Sequence, residues 1–412
     1  MEVMAAGRKW RLPRLWQAAA LLVAALFTPM RVWAVNLVEV GFPDGILIWS
    51  GLMWVLALGT WLLAVWWGGE PRGVTSAVFW FMVAIGSLGT LMRDTPGGVA
   101  GMSALALILA IVAYRLRGVP TYQWLTSWAV LFALLTPIGL AGKSMLSRPE
   151  SQVQPAAAVA VGEFKETPDV LILVFDALGS STVLERFYDY DSIYLDRFRT
   201  AGLGVSDSMT ANYNFTHLSL SSFYRMDYPL LEGQSAGDAE WADLLRAIRG
   251  DNPLVEAFQS QGYRFLMVES SWSGAQCSRY VDICIRGVWP DTPTATAVRR
   301  SLFGALPIPA LVEAMAPANL NSIAWLESDL ESYLSNDQPE IMFVHLFLPH
   351  APLRLDSNCE YRRDGGLGHM AVVAPVHSAS DAEKRKRLYV DQVRCAERVI
   401  RGVTELVGDR AI

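Results

Sequence analysis

The stretch Pro168 to Asp176, PDVLILVFD, sets the reading of this chain: an unbroken apolar run from Val170 to Phe175 that ends in a carboxylate. Flanked by Pro168 and Gly179, it reads as a central strand of a parallel sheet, buried on both faces. Open α/β sheets gather their ligands beyond the C-terminal ends of strands, which is where Asp176 falls. About forty residues later, Asn214 to Ser222, NFTHLSLSS, reads as a loop opening into a helix with Thr216 at its start. A carboxylate beside a hydroxyl at a helix N-terminus suits a metal-activated nucleophile acting on a phosphate or sulfate ester.

Working outward, helix-period and strand-like segments alternate after residue 168. Tyr194 to Ala201, Ala239 to Ile248, Pro253 to Gln261 and Ile323 to Leu334 read as helices. Tyr263 to Val268 and Ile341 to Leu348 read as strands, and Lys384 to Val407 as a long helix with one apolar face. Asn252 before Pro253 is a helix N-cap followed by proline at the first helical position. Alternation of strand and helix implies a largely parallel sheet covered on both sides.

The first third has a different character. Charges are sparse to about residue 142 in a chain of 412 residues. Apolar stretches from Leu15 to Ala34, Gly45 to Trp67, Thr75 to Met92, Val99 to Tyr114 and Tyr122 to Leu140 approach the roughly 20 residues that cross about 30 Å of hydrocarbon. Trp66, Trp67, Tyr114 and Tyr122 sit near the ends, as interfacial aromatics do. The expected organisation is a transmembrane domain of five helices over 1–143, a linker over 144–168 with little helix or strand period, and an α/β domain over 169–412.

Arg8, Lys9, Arg11, Arg14, Arg72, Arg115 and Arg117 cluster on one side of these spans, against Arg93 on the other. The positive-inside rule then places the N-terminus in the cytoplasm and everything after about residue 143 outside, on the extracytoplasmic side. Reading the first span as a signal peptide cleaved near Val32-Trp33-Ala34 leaves that placement unchanged.

Cys277, Cys284, Cys359 and Cys395 all follow the apolar third. Cys277 and Cys284 are close enough to close a small loop, leaving Cys359 with Cys395, and an oxidising compartment favours both bridges. A four-cysteine zinc site and free buried thiols are the rival readings. A net charge of −6 with no basic face argues against a nucleic-acid partner.

Each chemical candidate has a plainer alternative. Asp176 is a hard oxygen ligand for a divalent cation or a turn cap, and Thr216 a nucleophile or an N-cap. His345 lies late in a strand, where histidines are often core residues. His350, in Pro-His-Ala-Pro just beyond it, sits at the functional edge, where an imidazole binds an oxyanion or protonates a leaving oxygen. His217, His369 and His377 have weaker contexts.

Taken together, PDVLILVFDALG, ANYNFTHLSLSS and FVHLFLPHAP, behind five apolar spans, resemble the sulfatase-like branch of the alkaline phosphatase superfamily. The layout is similar to that of membrane-anchored lipoteichoic acid synthases and lipid A phosphoethanolamine transferases. The resemblance implies an alkaline phosphatase-like α/β fold, Thr216 as nucleophile, Asp176 and Thr216 as metal ligands, and His345 and His350 as substrate contacts. It implies a divalent cation (Zn, Mn, Mg or Ca), the lipid bilayer as a partner, and an envelope lipid or glycan as substrate. Sulfatases mature a residue in a Cys/Ser-x-Pro-x-Arg motif that position 216 lacks, so phosphate-type ester transfer or hydrolysis is expected over sulfate. The family also completes its metal site with an Asp-His pair after a late strand. None of the five histidines here follows an aspartate, so a domain truncated at its C-terminus before that motif is expected. A domain that only binds envelope glycan or protein partners is the alternative.

Overall fold

The computed structural model describes residues 15–35, 44–92, 98–146, 162–200, 202–206, 209–230, 234, 241–270, 274–286, 319–334, 338–362, 366, 375–376 and 378–408. The basic cluster at 8–14, Arg93, most of the expected linker, His369, His377 and the last four residues lie outside them. The described residues divide into two compact units, one up to residue 146 and one from residue 162 onward.

In the first unit, helices α1 (Leu15–Val35), α2 (Asp44–Trp66), α3 (Pro71–Met92), α4 (Gly98–Arg115) and α5 (Pro120–Leu146) coincide closely with the apolar stretches. A 3-10 turn, Leu116–Gly118, joins the last two. Among the described residues one helix is long and apolar enough to cross a membrane, Pro120–Lys143, while Leu15–Arg31, Ser50–Trp66 and Pro71–Ile85 are shorter apolar helices. Small and aromatic residues fill the interior: Leu21, Trp61 and Val74 make one cluster, and Ala24, Phe79 and Ala133 another. The Trp61 indole donates to Thr75 Oγ1 at 2.9 Å, satisfying the polar tip of a fully buried ring.

The second unit is built on a parallel sheet. Strands β1 (Val170–Phe175), β2 (Arg264–Val268), β3 (Ile283–Ile285) and β4 (Glu340–Leu346) run in the order β1-β4-β2-β3. Every ladder between them is parallel. β1, expected at the centre, is an end strand of the described sheet and only half buried, whereas β4 is buried throughout. An apolar run reports burial, but neighbour order depends on pairings of residues as much as about 170 positions apart. The helices are α6 (Ser181–Tyr188), α7 (Tyr194–Thr200), α8 (Thr216–Arg225), α9 (Trp241–Ile248), α10 (Pro253–Ser260), α11 (Asn319–Ser328), α12 (Leu330–Tyr333) and α13 (Ala379–Gly408). The single helix expected over Ile323 to Leu334 is two, parted at Asp329.

Successive strand residues point to opposite faces, so the sheet sorts its own core. Leu266, Val268, Met342, Val344 and Leu346 face α11 and α13. Phe265, Met267, Ile341 and Phe343 face the other way, toward Leu220 and Tyr224 of α8, Ile248 of α9 and Val255 of α10. The result is a helix–sheet–helix sandwich. Capping follows the residues: Asn252 Oδ1 accepts from Val255 N at 2.8 Å with proline at the start of α10, as expected, and Ser180 accepts from Val183 N to open α6.

Both expected disulfides are formed, Cys277–Cys284 and Cys359–Cys395, so the zinc and free-thiol readings fall. The second ties the loop after β4 to the middle of α13. The first adjoins β3, a strand of three residues too short to register in the sequence pattern.

Candidate active site

Asp176 prolongs β1 by one residue: its N–H donates to Leu346 O at 2.9 Å. Its parity with Val170, Ile172 and Val174 turns its carboxylate to the α8 face of the sheet. His345 pairs in register with Val174, so its imidazole takes the same face. Period-2 alternation alone thus brings a carboxylate and an imidazole together, with His345 Nε2 at 3.6 Å from Asp176 Oδ2. His345 is fully buried, and its Nδ1 lies 3.4 Å from Ser270 Oγ.

Thr216 is the first residue of α8, and the cap position belongs to Phe215, which offers no side-chain acceptor. Both plainer readings therefore fail. The Thr216 hydroxyl does not cap its helix; it donates to Asp176, 3.3 Å from Oδ2 and 3.5 Å from Oδ1. Asp176 in turn does not cap the turn at Gly179, which is held by Tyr389: Gly179 N donates to the phenol oxygen at 3.1 Å, and the phenol donates to Ala177 O at 2.8 Å. Ala177 takes a positive φ of 61°, an uncommon backbone for a residue with a Cβ, directly beside the carboxylate. Tyr389 stacks on Tyr188 at 4.3 Å between ring centroids, and burial pushes its phenol up to about 12.

His350 follows β4 in a loop with cis bonds at Leu348–Pro349 and Ala351–Pro352. Its backbone N–H donates to Asp176 O at 3.1 Å, its Nδ1 lies 2.6 Å from Ala351 O, and its ring packs 4.0 Å from that of Phe347. Gln392, on α13 and almost fully buried, fixes this loop with both ends of its amide. Its Nε2 donates to Pro349 O and His350 O, and its Oε1 accepts from Arg354 N and Leu355 N.

Burial alone would raise the pKa of Asp176. The hydrogen bond and charge of His345, then the charge of His350 and the Thr216 hydroxyl, outweigh it and hold the carboxyl below its ordinary value. Asp176 is therefore ionised at neutral pH. His217, one residue into α8, was not singled out by its sequence context. Its ring meets Trp241 edge-on at 4.2 Å, and burial, reinforced by the charge of Arg249, lowers its pKa to about 4. It stands beside the site as a neutral imidazole.

The four candidates from the sequence thus converge at the C-terminal ends of β1 and β4: Thr216 touches Asp176, Asp176 touches His345, and His350 is bonded through its backbone to Asp176. The residues that the sequence did not flag, Tyr389, Gln392 and His217, come from helices whose contacts are remote in sequence. Do these donors fit a cation? Asp176 and Thr216 offer hard oxygens 3.3–3.5 Å apart, with the imidazole of His345 at 3.6 Å. That is the spacing of neighbouring ligands around an ion with bonds of about 2.0–2.5 Å, so the set fits part of a coordination shell. The remaining three-donor group among the described residues, Glu269 with Cys277 and Cys284, has both sulfurs spent in a disulfide. No protein-family model, curated protein or solved structure matches this chain, so its chemistry is read from the geometry alone.

Proposed function

We propose that this chain is a membrane-anchored enzyme of the sulfatase-like branch of the alkaline phosphatase superfamily, transferring or hydrolysing phosphate-type esters on an envelope lipid or glycan. One observation carries the reading: the Thr216 hydroxyl, at an α8 N-terminus whose cap residue supplies no side-chain acceptor, is aimed at an ionised Asp176. A hydroxyl serving only its helix would bond to the first-turn amides instead.

In this scheme Thr216 Oγ attacks phosphorus and its proton passes to Asp176, whose carboxylate orients the hydroxyl. The N-terminus of α8 faces the developing negative charge on the phosphoryl oxygens. His345, locked between Ser270 and Asp176, keeps the carboxylate in position. As the bond from phosphorus to the leaving oxygen breaks, His350 donates a proton to that oxygen. An acceptor hydroxyl or water, giving its proton to His350, then attacks phosphorus and displaces Thr216, whose oxygen takes back the proton held by Asp176, so that the enzyme returns to its starting state. A divalent cation held by Asp176 and Thr216, with His345 adjacent, would lower the Thr216 pKa and polarise the ester.

The membrane half of the proposal rests on five helices of 18 to 27 residues with apolar side chains turned outward. Leu107, Ile108 and Ile111 on α4 and Phe132, Leu135 and Ile138 on α5 are each more than half exposed, a surface suited to lipid rather than water. The proposal places the second unit on the extracytoplasmic side, where disulfides persist. Full-length protein in lipid vesicles should cleave a chromogenic phosphodiester, with activity lost on chelation and restored by a divalent cation. Thr216→Ala, folded by circular dichroism, should lose at least about a hundredfold. Undiminished turnover in that variant would refute the mechanism.

A further inference from the structure

A cavity of about 470 Å³ opens between α1, α3 and α5, at the end of the first unit where α3 and α5 begin. Its body is apolar, walled by Ala20, Phe79 and Val130, with Trp16 at its rim. Its other wall is a ledge of hydroxyls: Ser76 Oγ lies 3.2 Å from Tyr122 OH and 3.4 Å from Thr126 Oγ1, joining α3 to α5. Arg72 and Arg117 are the charged residues of its described lining, and no acidic side chain lines it among the described residues. The nearby carboxylate, Glu70, is engaged with the Gly73 N–H at 2.7 Å, and no ion pair among the described residues neutralises either arginine.

The placement of Arg117 is built in. It donates to Tyr114 O at 3.0 Å and lies 4.4 Å over the Tyr114 ring, leaving most of its donors available. A side chain at position 73 would collide with the Arg117 Cδ and the Tyr114 ring, so Gly73 lets the Arg117 side chain lie against the start of α3. A second cavity in the same unit, about 410 Å³ and lined by Met53, Phe81 and Ile85 among others, carries no charged residue among its described lining. The basic character therefore belongs to one cavity and is not general to the bundle.

We infer that the cavity is a binding site for an anionic glycerophospholipid. The phosphate sits between Arg72 and Arg117, whose planar forks match its oxygens, the hydroxyl ledge meets the glycerol backbone, and an acyl chain follows Phe79 and Val130. The inference rests on the reading of the first unit as membrane-embedded. The described lining residues all belong to helices of the first unit, and the assignment invokes no residue of the site at Thr216.

Carbonate-washed membranes test the underlying reading first: release of the full chain as a soluble protein would overturn both. The retained protein, solubilised in detergent, is then titrated with phosphatidylglycerol or phosphatidylcholine and its bound lipids counted by native mass spectrometry. Phosphatidylglycerol should bind at least about tenfold more tightly. Arg72→Gln with Arg117→Gln should abolish the preference while leaving phosphatidylcholine binding unchanged, and Lys143→Gln, at the opposite end of α5, should keep it. Gly73→Ala should weaken the preference by displacing Arg117. Equal affinity for the two lipids, a preference that survives the double variant, or displacement of phosphatidylglycerol by matching concentrations of inorganic phosphate would each overturn the assignment.

Discussion

The two faces of one sheet divide the labour of the second unit. On the face toward α11 and α13, Leu266, Met342, Val344 and Leu346 pack against Trp325, Leu326 and Val399, and the Cys359–Cys395 bridge lies in the same cluster. The buried carboxylate on that face, Glu340, is spent in an ion pair with Arg264 at the start of β4. On the face toward α8, the inner end is equally apolar, with Phe265, Phe343 and Tyr224 in contact, but the C-terminal end carries Asp176, His345 and Thr216. Alternation along β1 and β4 separates the two roles by a single residue step. Substitutions on the first face should therefore change stability and spare chemistry, and those at the end of the second should do the reverse.

The largest expected effect is at Asp176. Asp176→Asn keeps the shape and removes the charge facing Thr216. Turnover should fall about a thousandfold, roughly 4 kcal/mol of transition-state stabilisation, with little change in thermal midpoint. A variant that unfolds instead would show that this carboxylate is chiefly structural. Leu266→Ala sharpens the other side of the comparison. It empties a fully buried position in the α11 and α13 layer and should cost about 3 kcal/mol in chemical denaturation, with kcat preserved.

His217 supplies a pH test. Its imidazole titrates near 4 in the fold and near 6.5 when unfolded, so the unfolded chain takes up a proton first as pH falls. The contribution is complete above about pH 6.5 and is lost progressively toward pH 4, about 2 kcal/mol once partial solvent screening of this half-buried ring is allowed for. Asp176, whose folded pKa is depressed, adds a loss in the same direction at lower pH, as pH falls through its folded value. His217→Asn should flatten the upper part of that profile; an unchanged slope between pH 6.5 and 4 would remove His217 from the account. The smallest effect is at Asn252, where Ala removes the cap of α10 at about 1 kcal/mol.

Much of this was legible because it is local. The run PDVLILVFD reads as a strand on its own, and counting residues along it predicts which face Asp176 takes. The break between Asn252 and Pro253 marks a helix start without any tertiary information. The order β1-β4-β2-β3 was not legible, because pairing β1 with β4 joins residues some 170 positions apart and no local pattern encodes it. The orientation of the Thr216 hydroxyl was equally hidden: the sequence places Thr216 at a helix start, but only the approach of Asp176 turns the group away from its own amides. Tyr389 and Gln392 read as two more residues of a long amphipathic helix. Their phenol and amide reach loops that the chain left hundreds or tens of residues earlier.

The central claim is that Thr216 carries the phosphoryl group. Full-length protein in vesicles, mixed with a chromogenic phosphodiester and quenched in acid within the first turnover, should yield a peptide spanning 209–230 that bears a phosphoryl adduct on Thr216. Thr216→Ala should yield no adduct there. Turnover by the wild type with an unmodified Thr216 at every time point, or an adduct on a different residue, would contradict the account.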